Sequence, residues 1–188
     1  DNPGLSAAVS SGRPVIPVFI LDEVVDTHGA CPTWRLGLGA EAFGAALEGI
    51  GSRLVFRRGA ALEVLRALVA ETGATSVWWA RLYDPDSVAR DTGVKSGVKA
   101  DGSDAQSFAG HGMHEPWSVE TKTGDFYKVY TPFWKQVKDR DVPGPSAAVS
   151  ALAAPEVWPT SDDPKDWQLG QAMRRGADIV APYLNVGE

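Results

Sequence analysis

Cysteine is nearly absent from this sequence. Cys31 is the only one among 188 residues, which excludes an intramolecular disulfide or a cysteine-rich metal site and fits a reducing compartment, with the cytosol as the default. No apolar run approaches the roughly 20 residues of a membrane-spanning helix, and no basic-then-apolar signal pattern opens the chain. Positive charge is scarce too. With 18 Lys and Arg against 24 Asp and Glu the net charge is −6, so nothing electrostatic draws the whole chain to nucleic acid. The single basic stretch, from Lys128 to Arg140, sets three Lys and one Arg against Asp139 for a net +3 and reads as a solvated helix face.

Signatures of common chemistry are also missing. There is no GxGxxG, no P-loop and no GxSxG. Gly93-Val94-Lys95-Ser96 lacks the glycines a phosphate loop needs and reads as a surface helix segment. His111, His114 and Glu115 stand as H-x-x-H-E, not in the zincin order H-E-x-x-H, and glycines at 110 and 112 oppose a helix there. They read as loop residues, with no metal and no catalytic residue assigned. Cys31 has no sequence-local activating partner beyond His28.

What is present describes a globular chain: 44% hydrophobic and 22% charged residues, in a length that suits one well-buried domain plus connecting material. Val15 to Leu21 is a continuous apolar run of strand length, as expected for a parallel strand covered on both faces. Thr33 is placed to cap a helix with Leu36, Phe43, Leu47 and Ile50 on one stripe. Arg53–Arg57 predicts a second strand. A helix with Leu62, Leu65, Leu68 and Val69 on one face follows, stopped by Gly73. Ser76–Ala80 (SVWWA) predicts a third strand, Asp84-Pro85 starts another helix by cap and proline, and Ala105–Phe108 predicts a last strand. Alternating strands and helices imply an α/β, doubly wound parallel sheet. Ahead of it, Asp1-Asn2-Pro3 reads as a helix start with Leu5, Ala8 and Val9 apolar, so the sheet is expected to lack its first strand.

Past Gly110 the periodicity fades. Residues 142–165 are rich in Pro and Ser, and prolines at 143, 145, 155, 159 and 164 exclude a long helix. This predicts a connector, not core, with Trp158 and Trp167 holding it to a surface. Of the seven Trp, Trp34, Trp78 and Trp79 are expected to pack within predicted elements.

Three stretches then converge on one family. DNPGLSAAVSSGRPVIPVFILD at the start, ARLYDPDSVARDTGVKSGVKADGSDAQSFAGHGMHEPW from Ala80 to Trp117, and GDFYKVYTPFWK from Gly124 to Lys135 closely resemble the photolyase/cryptochrome family. The resemblance covers essentially the whole chain. It implies an N-terminal α/β antenna domain over residues 1–110 and an interdomain connector over 111–188, leading to a helical FAD-binding domain outside this sequence. It further implies that the strand missing ahead of Asp1 is central to the sheet.

The function so implied is light-driven, FAD-dependent repair of UV-induced pyrimidine dimers in DNA by the full-length protein, a monomer without membrane contact. This part would hold a light-harvesting pigment and be inactive alone. In the family that pigment lies at the carboxyl ends of the strands, which places His28, Arg35, Asp84, Asp86 and Ser87 as its contacts. His28 stands four residues before Pro32, as in folate-binding relatives. Where those relatives carry Asn-Glu, this chain has Asp86-Ser87, which counts against a folate and leaves a deazaflavin, FMN or no antenna open. Asp84 and Asp86 also suit a simple capping role. A cryptochrome photoreceptor is the first alternative. A free-standing nucleotide- or flavin-binding module is the second, weakened by the missing phosphate loop.

Overall fold

The computed structural model describes residues 2–186 apart from 111, 143 and 146. Helix α1 (Pro3–Ser10) starts where the sequence places it: Asn2 accepts the Leu5 N–H in its side-chain oxygen and Pro3 sits at the first turn. The Asp1 part of that reading lies outside the described residues. Strand β1 (Val18–Leu21) occupies only the end of the apolar run. The short helix α2 (Glu23–Asp26) follows, then α3 (Ala30–Glu48), β2 (Val55–Arg58), α4 (Ala61–Thr72), β3 (Ser76–Ala80), α5 (Pro85–Ala100) and β4 (Asp104–Phe108). Gly73, at φ 68°, ends α4 in the left-handed conformation that favours glycine.

Two local expectations are corrected. Helix α3 has Gly29, not Thr33, at its N-cap position, and Thr33 turns its hydroxyl back to the Gly29 carbonyl. Its buried residues are Trp34, Gly37, Ala40 and Leu47, whereas Phe43 is 42% exposed. The buried stripe is therefore rotated from the one expected, because the small residues Gly37 and Ala40 admit close neighbours.

Helices cover both faces of the strands. On one face α1 and α3 bring Leu5, Val9, Ala40 and Leu47 onto Phe19, Leu54 and Phe56. On the other, α4 and α5 bring Ala61, Val94 and Val98 onto Val77, Trp79 and Ala105. Trp78 points oppositely to its neighbours, as strand alternation requires, and packs on Phe108 under the guanidinium of Arg13.

The parallel sheet comes in two pieces. β1 pairs with β2 and β3 with β4, each in parallel register. Between β1 and β3 lies a slot of about 990 Å³, lined by Val18 and Ile20, by Ser76 to Ala80, and by Leu5 and Ala8 of α1 with Leu65 and Leu68 of α4. The Pro17 carbonyl accepts from Val55 of β2 and the Leu21 carbonyl from Gly59 just beyond it, so the intervening backbone groups of Val18 and Ile20 are directed into the slot. Thr75 and Arg81 pair with the β4 side, which aims those of Ser76, Trp78 and Ala80 at it from the opposite wall. The strands expected to be separated by one more are not neighbours.

The chain beyond β4 is more than a connector. Leu152 is buried in the cluster with Leu47 and Phe56, a correction to the reading of 142–165 as outside the core. Trp167 packs edge-on against Phe56 at 5.7 Å, and Trp158 lies under Arg53 at 4.8 Å. The Asp162 N–H donates to the Phe56 carbonyl at 2.9 Å and the Ser161 hydroxyl accepts from the Phe56 N–H, so this segment covers the outer edge of β2. Glu71 fixes it from α4 by accepting the Thr160 N–H. That bond, with Arg57 adding to it, holds the Glu71 carboxyl below its ordinary pKa against the opposing effect of burial. A one-turn helix at Leu169–Gln171 seats on α3 at Gly37, where an added Cβ would meet the Gly170 nitrogen at 2.6 Å.

Candidate functional site

An open α/β sheet offers a ligand crevice at the carboxyl ends of its strands. Here that end is bounded by the segment after β1, the loop joining β3 to α5, and residues 112–118.

After β1 comes Asp22, 3% exposed. Its Oδ1 accepts the N–H groups of Val24 and Val25, capping α2, and its Oδ2 accepts from Arg90 at 2.9 Å. Arg90 also donates to Asp91 at 2.8 Å, and Asp91 accepts the Trp79 indole N–H at 3.0 Å. Burial works against the Arg90 charge, but Asp91 and Asp22 outweigh it and raise its pKa. This network ties β1 to β3 and α5 across the carboxyl mouth of the slot. In the sequence Asp22, Arg90 and Asp91 stand only within longer family-like stretches, with no role of their own. An acid directly after a buried strand is the available signal.

A second network closes the other side. Arg81, directly after β3, donates to Glu115 at 2.7 Å and to the Ser107 carbonyl, and Tyr83 donates to the other Glu115 oxygen at 3.1 Å. Trp117 lies against both, 5.6 Å from the Arg81 guanidinium and 6.2 Å from the Tyr83 ring. The Arg81 hydrogen bond lowers the Glu115 pKa. Burial, with Glu115 beside it, raises that of the Tyr83 phenol. Glu115 thus anchors the 81–84 loop, which the reading of 111–115 as unassigned loop did not anticipate. His111 lies outside the described residues, and among them no metal-holding cluster occurs.

The residues expected to touch a ligand are placed unequally. Asp84 caps α5: its carboxylate accepts the Ser87 N–H at 2.9 Å, and the Ser87 backbone and hydroxyl together hold its pKa low. Ser87 is 1% exposed and belongs to that cap. Asp86, in the first turn of α5, and His28, between α2 and α3, are exposed. The Arg35 guanidinium donates to the Asn185 carbonyl at 3.0 Å. No hydrogen bond joins His28 to Asp84, Asp86 or Ser87 among the described residues. His28, between α2 and α3, and Asp86, in the first turn of α5, are thus exposed and stand outside both ion-pair networks.

Comparison with known proteins agrees in sequence and in fold. A DNA photolyase family profile matches residues 1–153. A deoxyribodipyrimidine photo-lyase from Agrobacterium fabrum is 42% identical over 170 residues, covering 90% of this chain and 36% of that protein. Cryptochrome-1 from Arabidopsis thaliana is 31% identical over 140 residues, covering 72% of the chain and 20% of its own length. The crystal structure of a class III photolyase from Agrobacterium tumefaciens superposes with a TM-score of 0.84 at 40% identity, over 89% of this chain and 35% of that one. The chain thus spans little more than a third of the photolyases it matches.

Proposed function

The chain belongs to the DNA photolyase family, and on that footing we propose that it is the N-terminal, pigment-holding part of a deoxyribodipyrimidine photolyase. The observation carrying this is 42% identity, sustained over 90% of the chain, with a relative of that name. In this reading residues 1–110 form the antenna domain and 111–188 the connector to a helical domain. The substrate is UV-damaged DNA, taken up by the full-length protein. FAD, held by the helical domain, supplies the light-driven electron that splits a pyrimidine dimer.

This chain's own residues position and do not react. Asp22, Arg90 and Asp91 fix the mouth between β1 and β3, and Arg81, Tyr83 and Glu115 fix the loop that carries Asp84 to Ser87. Because Asp84 and Ser87 are committed to the α5 cap, His28 and Asp86 are the exposed groups left to orient a planar pigment. One short carboxylate there, in place of an amide and a longer acid, suits a flavin or deazaflavin at least as well as a folate.

The test is repair of a dimer-containing oligonucleotide under blue light by the polypeptide extended to the length of its photolyase relatives. Light-dependent restoration of the intact bases supports the proposal. An extended polypeptide that binds FAD and repairs nothing would instead support a cryptochrome photoreceptor.

A further inference from the structure

Trp117 offers an oxidisable ring to solvent, and behind it stands a phenol already bonded to a base. The indole is 58% exposed. The half-buried Tyr83 ring lies 6.2 Å from it between centroids, and its hydroxyl donates to Oε2 of Glu115 at 3.1 Å. The other oxygen of Glu115 accepts from Arg81 at 2.7 Å, and the Arg81 guanidinium also sits 5.6 Å from the Trp117 ring. A second pair of rings provides a contrast. In helix α6 (Tyr130–Val137) the rings of Tyr130 and Trp134 are the same 6.2 Å apart, yet among the described residues no carboxylate accepts the Tyr130 hydroxyl. What separates the two pairs is the base.

We propose that Trp117, Tyr83 and Glu115 form a one-electron relay, in which Tyr83 re-reduces Trp117 after a small oxidising radical from solvent has taken an electron from its indole. The electron passes from the phenol ring to the indole cation radical, and the phenolic proton passes to Oε2 of Glu115. The products are an intact Trp117, a neutral tyrosyl radical and a protonated Glu115. A solvent thiol then returns a hydrogen atom to the tyrosyl oxygen, becoming a thiyl radical, and Glu115 releases its proton to water. Charge sets the direction. A cation radical left on Trp117 faces the like charge of the Arg81 guanidinium, whereas a phenol that loses electron and proton together places no charge in a half-buried site. Arg81 keeps its bond to the Ser107 carbonyl when Glu115 is neutralised. Trp117 is the entry point and Tyr83 the sink, whatever the rest of the polypeptide does.

Pulse radiolysis with the azide radical, which takes one electron from indole and leaves azide ion, tests this on residues 1–188. The indole radical signal should decay into a tyrosyl signal in a first-order phase whose rate is independent of protein concentration. That phase should be lost in Trp117→Phe and in Tyr83→Phe and kept in Tyr130→Phe. It should slow roughly a hundredfold in Glu115→Gln, the scale of a positioned general base. Deuterium oxide should slow it in the unsubstituted chain, a readout that needs no variant and that a purely structural Glu115 would not move. Under steady oxidation, oxygen addition at Trp117, located by mass spectrometry, should rise several-fold in Tyr83→Phe. A phase that survives Tyr83→Phe, that is indifferent to Glu115→Gln or to deuterium oxide, or whose rate grows with protein concentration would overturn the relay. So would equal oxidation of Trp117 with and without the Tyr83 hydroxyl. None of these outcomes bears on dimer repair, so the photolyase reading stands or falls apart from the relay.

Discussion

Asp22 and Arg90 meet at 2.9 Å across 68 residues of sequence, one directly after β1 and the other within α5. Asp22 is 3% exposed and Arg90 18% in their side chains, so this contact joins the two half-sheets where water has little access. Removing the guanidinium leaves a buried carboxylate facing Asp91. Arg90→Met is therefore expected to cost about 3 kcal/mol, the lower end of the range for breaking a buried pair. Combining it with Asp22→Asn should recover part of the loss, because the amide oxygen can still cap α2. Urea denaturation of both variants decides this, and a double variant as unstable as the single one would contradict it.

Glu115 and Tyr83 make a pH-dependent pair. The Glu115 pKa is lower in the folded chain than in the unfolded one, so its stabilisation is present above the ordinary carboxylate pKa and lost as pH falls through the lowered value. The phenol shift is opposite: its contribution is complete below the ordinary tyrosine pKa and lost as pH rises through the raised one. Glu115→Gln should flatten the acid limb of stability against pH. It should also bring the Tyr83 titration, read by ultraviolet absorbance against Tyr83→Phe, back towards the ordinary value. An unmoved phenol titration would mean that burial alone sets it.

Two glycines within helices should respond oppositely to alanine. At Gly93 of α5 an added Cβ meets nothing within 4 Å, and Gly93→Ala should stabilise by roughly 0.5–1 kcal/mol through helix propensity. At Gly37 the new methyl meets the Gly170 backbone at 2.6 Å. Despite the same propensity gain, Gly37→Ala should be destabilising by about 1–3 kcal/mol, with faster proteolysis near Lys165. Thermal unfolding of the pair provides the comparison.

The slot between β1 and β3 makes a further prediction. Five apolar residues of high strand propensity, joined ahead of Asn2 through a short turn, should enter it and pair with both walls. At about 1 kcal/mol net per hydrogen bond, the gain should be several kcal/mol. Slowed amide exchange at Val18, Ile20, Trp78 and Ala80 should accompany it. A fusion that leaves exchange at these positions unchanged would show that the half-sheets close by another route.

Much of this architecture is legible in the sequence because local rules set it. The SVWWA strand, the Asp84-Pro85 helix start and the Gly73 stop each follow from a few adjacent residues, and all three are found. Thr33 misleads because a residue that can cap can equally bond back to a carbonyl one turn earlier. That Trp167 holds the connector down is readable from the cost of leaving it wet, whereas Leu152 escapes because its core partners lie about 100 residues away and no periodicity announces a docked irregular segment. At the site, the capping role of Asp84 is readable. The Asp22–Arg90 and Arg81–Glu115 pairs are not, since each joins segments that only the tertiary fold brings together.

The segment laid along β2 has a consequence for how copies of this protein would meet. An unpaired strand edge is a template onto which another chain can add. On β2 that template is already taken, Phe56 being matched on its outer side by Ser161 and Asp162 of its own chain. A second molecule therefore finds no starting point there for extending this half-sheet outward. If residues 1–188 self-associate through strand pairing at β1 or β3, the contact must be made inside the slot. There space is finite, and the exchange would favour small closed assemblies over open-ended fibres.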